Sequence, residues 1–122
     1  MTAGIQPIIV TSDLDRLMAF YTGLLGAEEI VRVPGQDGST FFVNLRVSGG
    51  ELGLVAEPGV GNGPGGRILL SVDVPDVDAL LSRVEQLGGR VNGPANDTPW
   101  GQRVAHVQDP DGNALNLTQA LT

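Results

Sequence analysis

Gly23-Leu24-Leu25-Gly26-Ala27 and Glu85-Gln86-Leu87-Gly88-Gly89 are one helix ending written twice in the same chain. Each closes an amphipathic run that has a β-rich segment before it and further extended segments after it. Residues Ile8 to Ala56 and Leu69 to Ala120 therefore read as two copies of one strand–helix–strands unit. A half-sheet of this kind cannot bury one of its faces alone, so the repeat predicts two half-sheets packed together around a shared cleft.

With 122 residues, 41% of them hydrophobic, the chain can build a single core. Cysteine is absent, which removes disulfides, thiolate nucleophiles and cysteine metal sites from consideration. No apolar run approaches the roughly 20 residues of a membrane span. The N-terminus lacks the charged-then-apolar pattern of a secretory leader, so the expected compartment is the cytoplasm. Fourteen acidic residues stand against seven basic ones, all of them arginine, for a net charge of −7. Nucleic acid and anionic membrane are poor partners for such a chain. The acidic balance serves solubility, and gathered near a cleft it would attract a cationic ligand.

In the first copy, Gln6 to Thr11 is β-rich, and Ser12-Asp13-Leu14-Asp15 supplies a helix cap with acids in the first turn. Leu14, Leu17, Met18, Tyr21, Leu24 and Leu25 keep helical spacing up to the Gly26 stop. An extended Glu29 to Val33, a turn at Pro34 to Gly38, and two strands, Thr40 to Val47 and Glu51 to Ala56, complete it. Glu57 to Gly66, with five glycines and two prolines, reads as the linker. Its glycines lack the lysine of a phosphate-binding loop.

The second copy runs through a strand Arg67 to Val74 and a helix opened by Pro75-Asp76, with Val77, Leu80, Leu81, Val84 and Leu87 as its buried stripe. A short strand near Val91, a loop from Gly93 to Gly101, and two strands, Gln102 to Gln108 and Ala114 to Gln119, follow. Asp109-Pro110-Asp111-Gly112-Asn113 joins those two with strong turn chemistry. The fold class is α+β, a single domain with modules at about 5–57 and 67–120 and the linker at 58–66. Phe41 and Phe42 are assigned with the other aromatics to the core.

The chain resembles the glyoxalase, bleomycin-resistance and extradiol-dioxygenase superfamily, the vicinal oxygen chelate fold. The resemblance rests on Ser12-Asp13-Leu14-Asp15 with Phe20-Tyr21 and Leu24-Leu25-Gly26, on Leu70-Ser71-Val72-Asp73-Val74, and on Trp100-Gly101-Gln102-Arg103 before the Asp-Pro-Asp-Gly-Asn turn. It implies two βαβββ modules forming an eight-stranded, incompletely closed barrel, assembled as a homodimer.

The superfamily's metal enzymes take ligands from four strand positions, which by resemblance fall here on Gln6, on Glu51 or Gly53, on Arg67 and on Asn116. A guanidinium repels a cation, and amides are weak neutral oxygen ligands, so the usual metal site is lost and no metal or other cofactor is expected. Strand alternation would bring Gln6, Arg67 and Asn116 toward one small volume. Arg67 there either binds a carboxylate, pairs with an internal acid such as Glu51, or lies at a rim in solvent.

His106 is the only histidine, and counting back across the turn pairs it with Asn116 on one face. It is either a general base or ligand-binding group in the cleft, or a histidine satisfied by its neighbours. Trp100, the only tryptophan, sits in a Pro-Trp-Gly segment like that of bleomycin-resistance proteins. It either stacks on a planar or cationic ligand or plugs one end of the barrel.

Two functional readings follow. One is a metal-independent binding protein resembling the antibiotic-sequestering members, holding a cationic or aromatic small molecule among Gln6, Glu51, Arg67, Trp100, His106 and Asn116. The other is a glyoxalase-like enzyme (lyase, isomerase or dioxygenase) using the same cleft, either metal-free with His106 as its catalytic base and Arg67 as an anion clamp, or metal-dependent through unconventional ligands.

Overall fold

The computed structural model describes residues 6–59 and 69–121, so Arg67 and most of the linker lie outside the described residues. The first module contains β1 (Ile8–Thr11), α1 (Leu14–Leu25), β2 (Glu28–Pro34), β3 (Thr40–Val47) and β4 (Gly50–Ala56). Its sheet has the order β1-β4-β3-β2, with β1 parallel to β4 and the other pairs antiparallel. The second contains β5 (Leu69–Asp73), α2 (Val77–Gln86), β6 (Arg90–Val91), β7 (Asn96–Asp97), β8 (Gln102–Gln108) and β9 (Ala114–Ala120). Its order is β5-β9-β8-β6, again with the first strand parallel to the last.

The described strands number nine because the second module's counterpart of β2 is broken in two. Val91 pairs with Val107 at one end of β8, and Asn96 pairs with Val104 nearer the other. Gly93, at a φ of 97°, and Pro94 interrupt the strand between them. The segment read as a loop from Gly93 to Gly101 therefore contains β7. The α+β class holds, and among the described residues no strand of one sheet pairs with a strand of the other.

Local chemistry sets both helices. The Asp13 carboxylate accepts the Arg16 N–H at 3.1 Å, and the Asp76 carboxylate accepts the Ala79 N–H at 3.3 Å, so each helix has an acidic N-cap. Gly26 leaves α1 in the left-handed conformation at a φ of 66°, a geometry that costs other residues a Cβ clash.

Alternation along the strands then divides each sheet into two faces. Val43, Leu45 and Leu54 turn toward the helices, as do Val107, Leu115 and Leu117, and with Leu17, Phe20, Tyr21, Val77 and Val84 they form one core. Both helix-covered faces feed that common interior, so both remaining faces open to solvent. Ile8 and Leu69, on the two open faces, are 52% and 53% exposed. Phe41 and Phe42 correct the core assignment. Val43 and Leu45 claim the inward face of β3, leaving Phe42 half-buried on the open face and Phe41 exposed near the strand's start.

The modules are joined by a buried hydrogen bond. The Tyr21 hydroxyl, on α1, donates to Asp109 Oδ2 at 2.9 Å. Asp109 also accepts the backbone N–H groups of Asp111 and Asn113 and the Asn113 amide, which folds the β8–β9 turn around its carboxylate. Burial, with Asp109 adding to it, pushes the Tyr21 phenol far above the ordinary tyrosine range. Arg16 adds a surface ion pair to Asp111 at 2.9 Å.

Candidate functional site

Each open face carries a short polar chain. On the first sheet, the Gln6 amide donates to Asn44 Oδ1, and Asn44 Nδ2 donates to Glu51 Oε1 at 2.8 Å. The parallel register sets Ile8 opposite Gly53, which by alternation brings Gln6 beside Glu51 on the same face. Glu51 and Gly53 both belong to this face, and they divide its work: Glu51 joins the polar chain, while Gly53 makes room for Phe42. Asn44 completes the chain and was missed by sequence reasoning. Its signal was the alternation of β3, where the flanking Val43 and Leu45 face inward.

On the second sheet, His106 stands opposite Asn116, and His106 Nδ1 lies 2.6 Å from Asn116 Oδ1. With the amide oxygen as acceptor, the neutral imidazole carries its proton on Nδ1 and offers the Nε2 lone pair. His106 is exposed. Trp100 is 73% exposed, and its indole N–H donates to Gln102 Oε1 at 3.0 Å. Gln102 shares the open face with His106 by alternation along β8, which ties the tryptophan to the rim of that face. The Thr98 hydroxyl accepts the Gln102 N–H at 3.1 Å, holding the loop in place. Within one chain this indole plugs nothing.

No hydrogen bond among the described residues connects Gln6, Asn44 and Glu51 to His106 and Asn116. A cavity of about 290 Å³ at the seam between the modules includes Glu51, Ser71 and Asp73 in its lining, but not His106, Asn116 or Trp100. The single chain thus brings the candidate residues together as two groups, one on each open face. Arg67 lies outside the described residues.

The donor set does not fit a divalent metal of the superfamily's kind. The described ligand positions offer two neutral amides and one carboxylate, and the Asn116 oxygen already lies against His106. Among the described residues, no three histidine, cysteine, aspartate or glutamate side chains gather closely enough to hold an ion. None of the described helices is long and apolar enough to cross a membrane.

Paired βαβββ modules, each with a helix-covered face and an open face, place the protein in the class of duplicated α+β proteins. Residues 4–117 match the family model of the Glyoxalase/Bleomycin resistance protein/Dioxygenase superfamily, and the chain belongs to that superfamily. It is 31% identical to an uncharacterized protein of Mycobacterium bovis over 97% of this chain and 84% of the relative. Among solved structures, a glyoxalase/bleomycin resistance protein/dioxygenase family enzyme from Burkholderia phytofirmans superposes with a TM-score of 0.78 at 23% identity, covering 95% of this chain and 97% of that one. The genomically encoded fosfomycin resistance protein FosX of Listeria monocytogenes gives 0.75 at 18% identity, covering 98% and 95%. Both likenesses concern the fold.

Proposed function

We propose that this protein is a metal-independent, cytoplasmic small-molecule binding protein that sequesters a cationic or aromatic compound, in the manner of the antibiotic-sequestering members. The observation that carries this reading is the state of the two amides at former ligand positions. Gln6 is committed to Asn44 and Asn116 to His106, so both serve hydrogen-bond networks suited to recognising a ligand. The acidic balance favours a cation. A homodimer suits the open faces, because a second copy laid across them would turn two exposed half-sites into an eight-stranded, incompletely closed barrel. Gln6 and Glu51 of one copy would then meet His106, Asn116 and Trp100 of the other, with Arg67 as a further ligand group.

Elemental analysis and calorimetry of the purified protein against a panel of cationic antibiotics test this. The expected result is no stoichiometric metal, and tight binding of a compound recovered unchanged. Stoichiometric divalent metal, or no thermal shift across the panel, overturns it.

One observation favours an enzyme instead. His106 Nδ1 lies 2.6 Å from Asn116 Oδ1, and with that oxygen accepting, Nε2 carries the lone pair a general base requires. His106→Ala separates the readings: it abolishes turnover of any substrate found in the enzyme case, and only weakens affinity in the binding case.

A further inference from the structure

The open face of the first sheet is not uniformly polar. Its register lays out a grid in which Phe42 lies opposite Val55, Asn44 opposite Gly53, and Arg46 opposite Glu51. On the β1 side, Ile8 lies opposite Gly53 and Val10 opposite Val55. One end of the face is therefore Gln6, Asn44 and Glu51, joined by hydrogen bonds, with Arg46 opposite Glu51. The other end is apolar and centred on Phe42, with Ile8 and Val10 52% and 47% exposed.

Gly53 is the hinge between those ends. A Cβ built there would lie 3.0 Å from Phe42 Cε1 and 3.1 Å from Ile8 Cγ1. The phenyl ring leans over the glycine, filling the space that any longer side chain at this position would need. This is also one of the two positions onto which a superfamily metal ligand falls. Phe42 gives the face an aromatic floor there.

We propose that this face is the recognition platform for a small aromatic cation: a planar ring stacks on Phe42 above Gly53, and a positively charged, hydrogen-bond-donating head group reaches Glu51 and Gln6. The inference rests on the binding-protein reading and names its ligand class. Three features support it. Aromatic rings gain from offset or edge contact beyond their simple burial. The Asn44 amide occupies one Glu51 oxygen, and the other accepts no hydrogen bond from a described residue. The Gln6 amide nitrogen is spent on Asn44, which leaves its carbonyl oxygen as a second acceptor toward the head group. Arg46 stands opposite Glu51 but is exposed and makes no ion pair among the described residues, which leaves the Glu51 carboxylate available to a second cation.

The probe is naphthylmethylammonium, titrated into the full chain and followed by backbone amide NMR. Naphthoate, with the same ring and opposite charge, and cyclohexylmethylammonium, with the same charge and no aromatic ring, serve as comparators. Naphthylmethylammonium shifts the amides of β1, β3 and β4 around Phe42, and binds about fivefold or more tightly than either comparator. Phe42→Leu removes the preference over the cyclohexyl compound, and Glu51→Gln removes the preference over naphthoate. Gly53→Ala displaces the ring and weakens the aromatic cation while the protein stays folded by its melting transition.

Four results overturn the platform. They are shifts confined to β8 and β9, a preference unchanged by both Phe42→Leu and Gly53→Ala, tighter binding of naphthoate, and no binding of any of the three compounds. Shifts confined to β8 and β9 leave the binding-protein reading standing, which metal content and turnover judge separately.

Discussion

The two modules share a plan and differ where they meet. In the first, Ala27 follows the glycine that ends α1, and it is buried at 5% exposure. In the second, the corresponding residue is Gly89, and a Cβ there would strike the Gln108 carbonyl and approach within 2.7 Å of the Phe20 ring. Phe20 comes from the first module. The repeat could keep a side chain on one side of the junction only, because an aromatic ring of one half is seated against the backbone of the other. The open faces differ as well. That of the first sheet separates a polar end from an apolar one across a continuous β2, whereas that of the second carries His106 and Asn116 beside a strand broken into β6 and β7. The two modules share a scaffold and differ at the junction and on their open faces.

The largest expected effect tests the junction. Gly89→Ala should lower unfolding stability by about 3 kcal/mol in a urea titration, because the contacts it meets are backbone and a fully buried ring. Ala27→Gly in the first module should cost only about 1 kcal/mol, and equal costs at the two sites would show that the asymmetry is unimportant.

Next comes Tyr21→Phe, which removes the buried bond between the modules and should cost about 1–2 kcal/mol by the same measurement. The pH dependence follows from the same bond. The folded phenol titrates above its unfolded counterpart, so its contribution is complete below about pH 10 and is lost as pH rises beyond it. The chain has one tyrosine, and it has neither lysine nor cysteine, so little else titrates in that window. Phenolate absorbance should therefore appear together with unfolding, and in Tyr21→Phe the alkaline loss should shrink. Absorbance that rises while the fold persists would contradict the buried bond.

A smaller effect compares the helix caps. Asp13→Ala and Asp76→Ala should each cost about 1 kcal/mol, since both carboxylates accept a single backbone N–H of the first turn. The smallest concerns the exposed indole. Trp100→Ala should change stability by no more than about 0.5 kcal/mol while weakening ligand binding, and a large loss of stability would return the tryptophan to a structural role.

Much of this was legible in the chain. The Gly26 and Gly88 stops, the acidic caps and the Asp-Pro-Asp-Gly-Asn turn act over a few residues, and local propensity reports such signals faithfully. The pairing of His106 with Asn116 was also readable, because a tight turn of known length fixes the register of the strands beside it. The alternatives at Glu51 and Gly53 were not separable, since both residues share one face and only their neighbours distinguish them. Phe42 was misassigned for a related reason. A phenylalanine in a strand favours burial in general, and only the inward claim of Val43 and Leu45 turned it to the open face.

The amino-acid sequence by itself determined the two βαβββ modules, the positions of their turns and the polar identity of the ligand positions. Hydrophobic period, caps and turn residues are properties of short segments. Tertiary structure alone decided that both helix faces drain into one core and that the open faces therefore look outward. It also decided that Phe42 covers Gly53, and that Gln6 reaches Glu51 through Asn44. Those outcomes depend on which face of a strand its neighbours occupy and on contacts between residues far apart in the chain, and such information exists only once the sheets are packed.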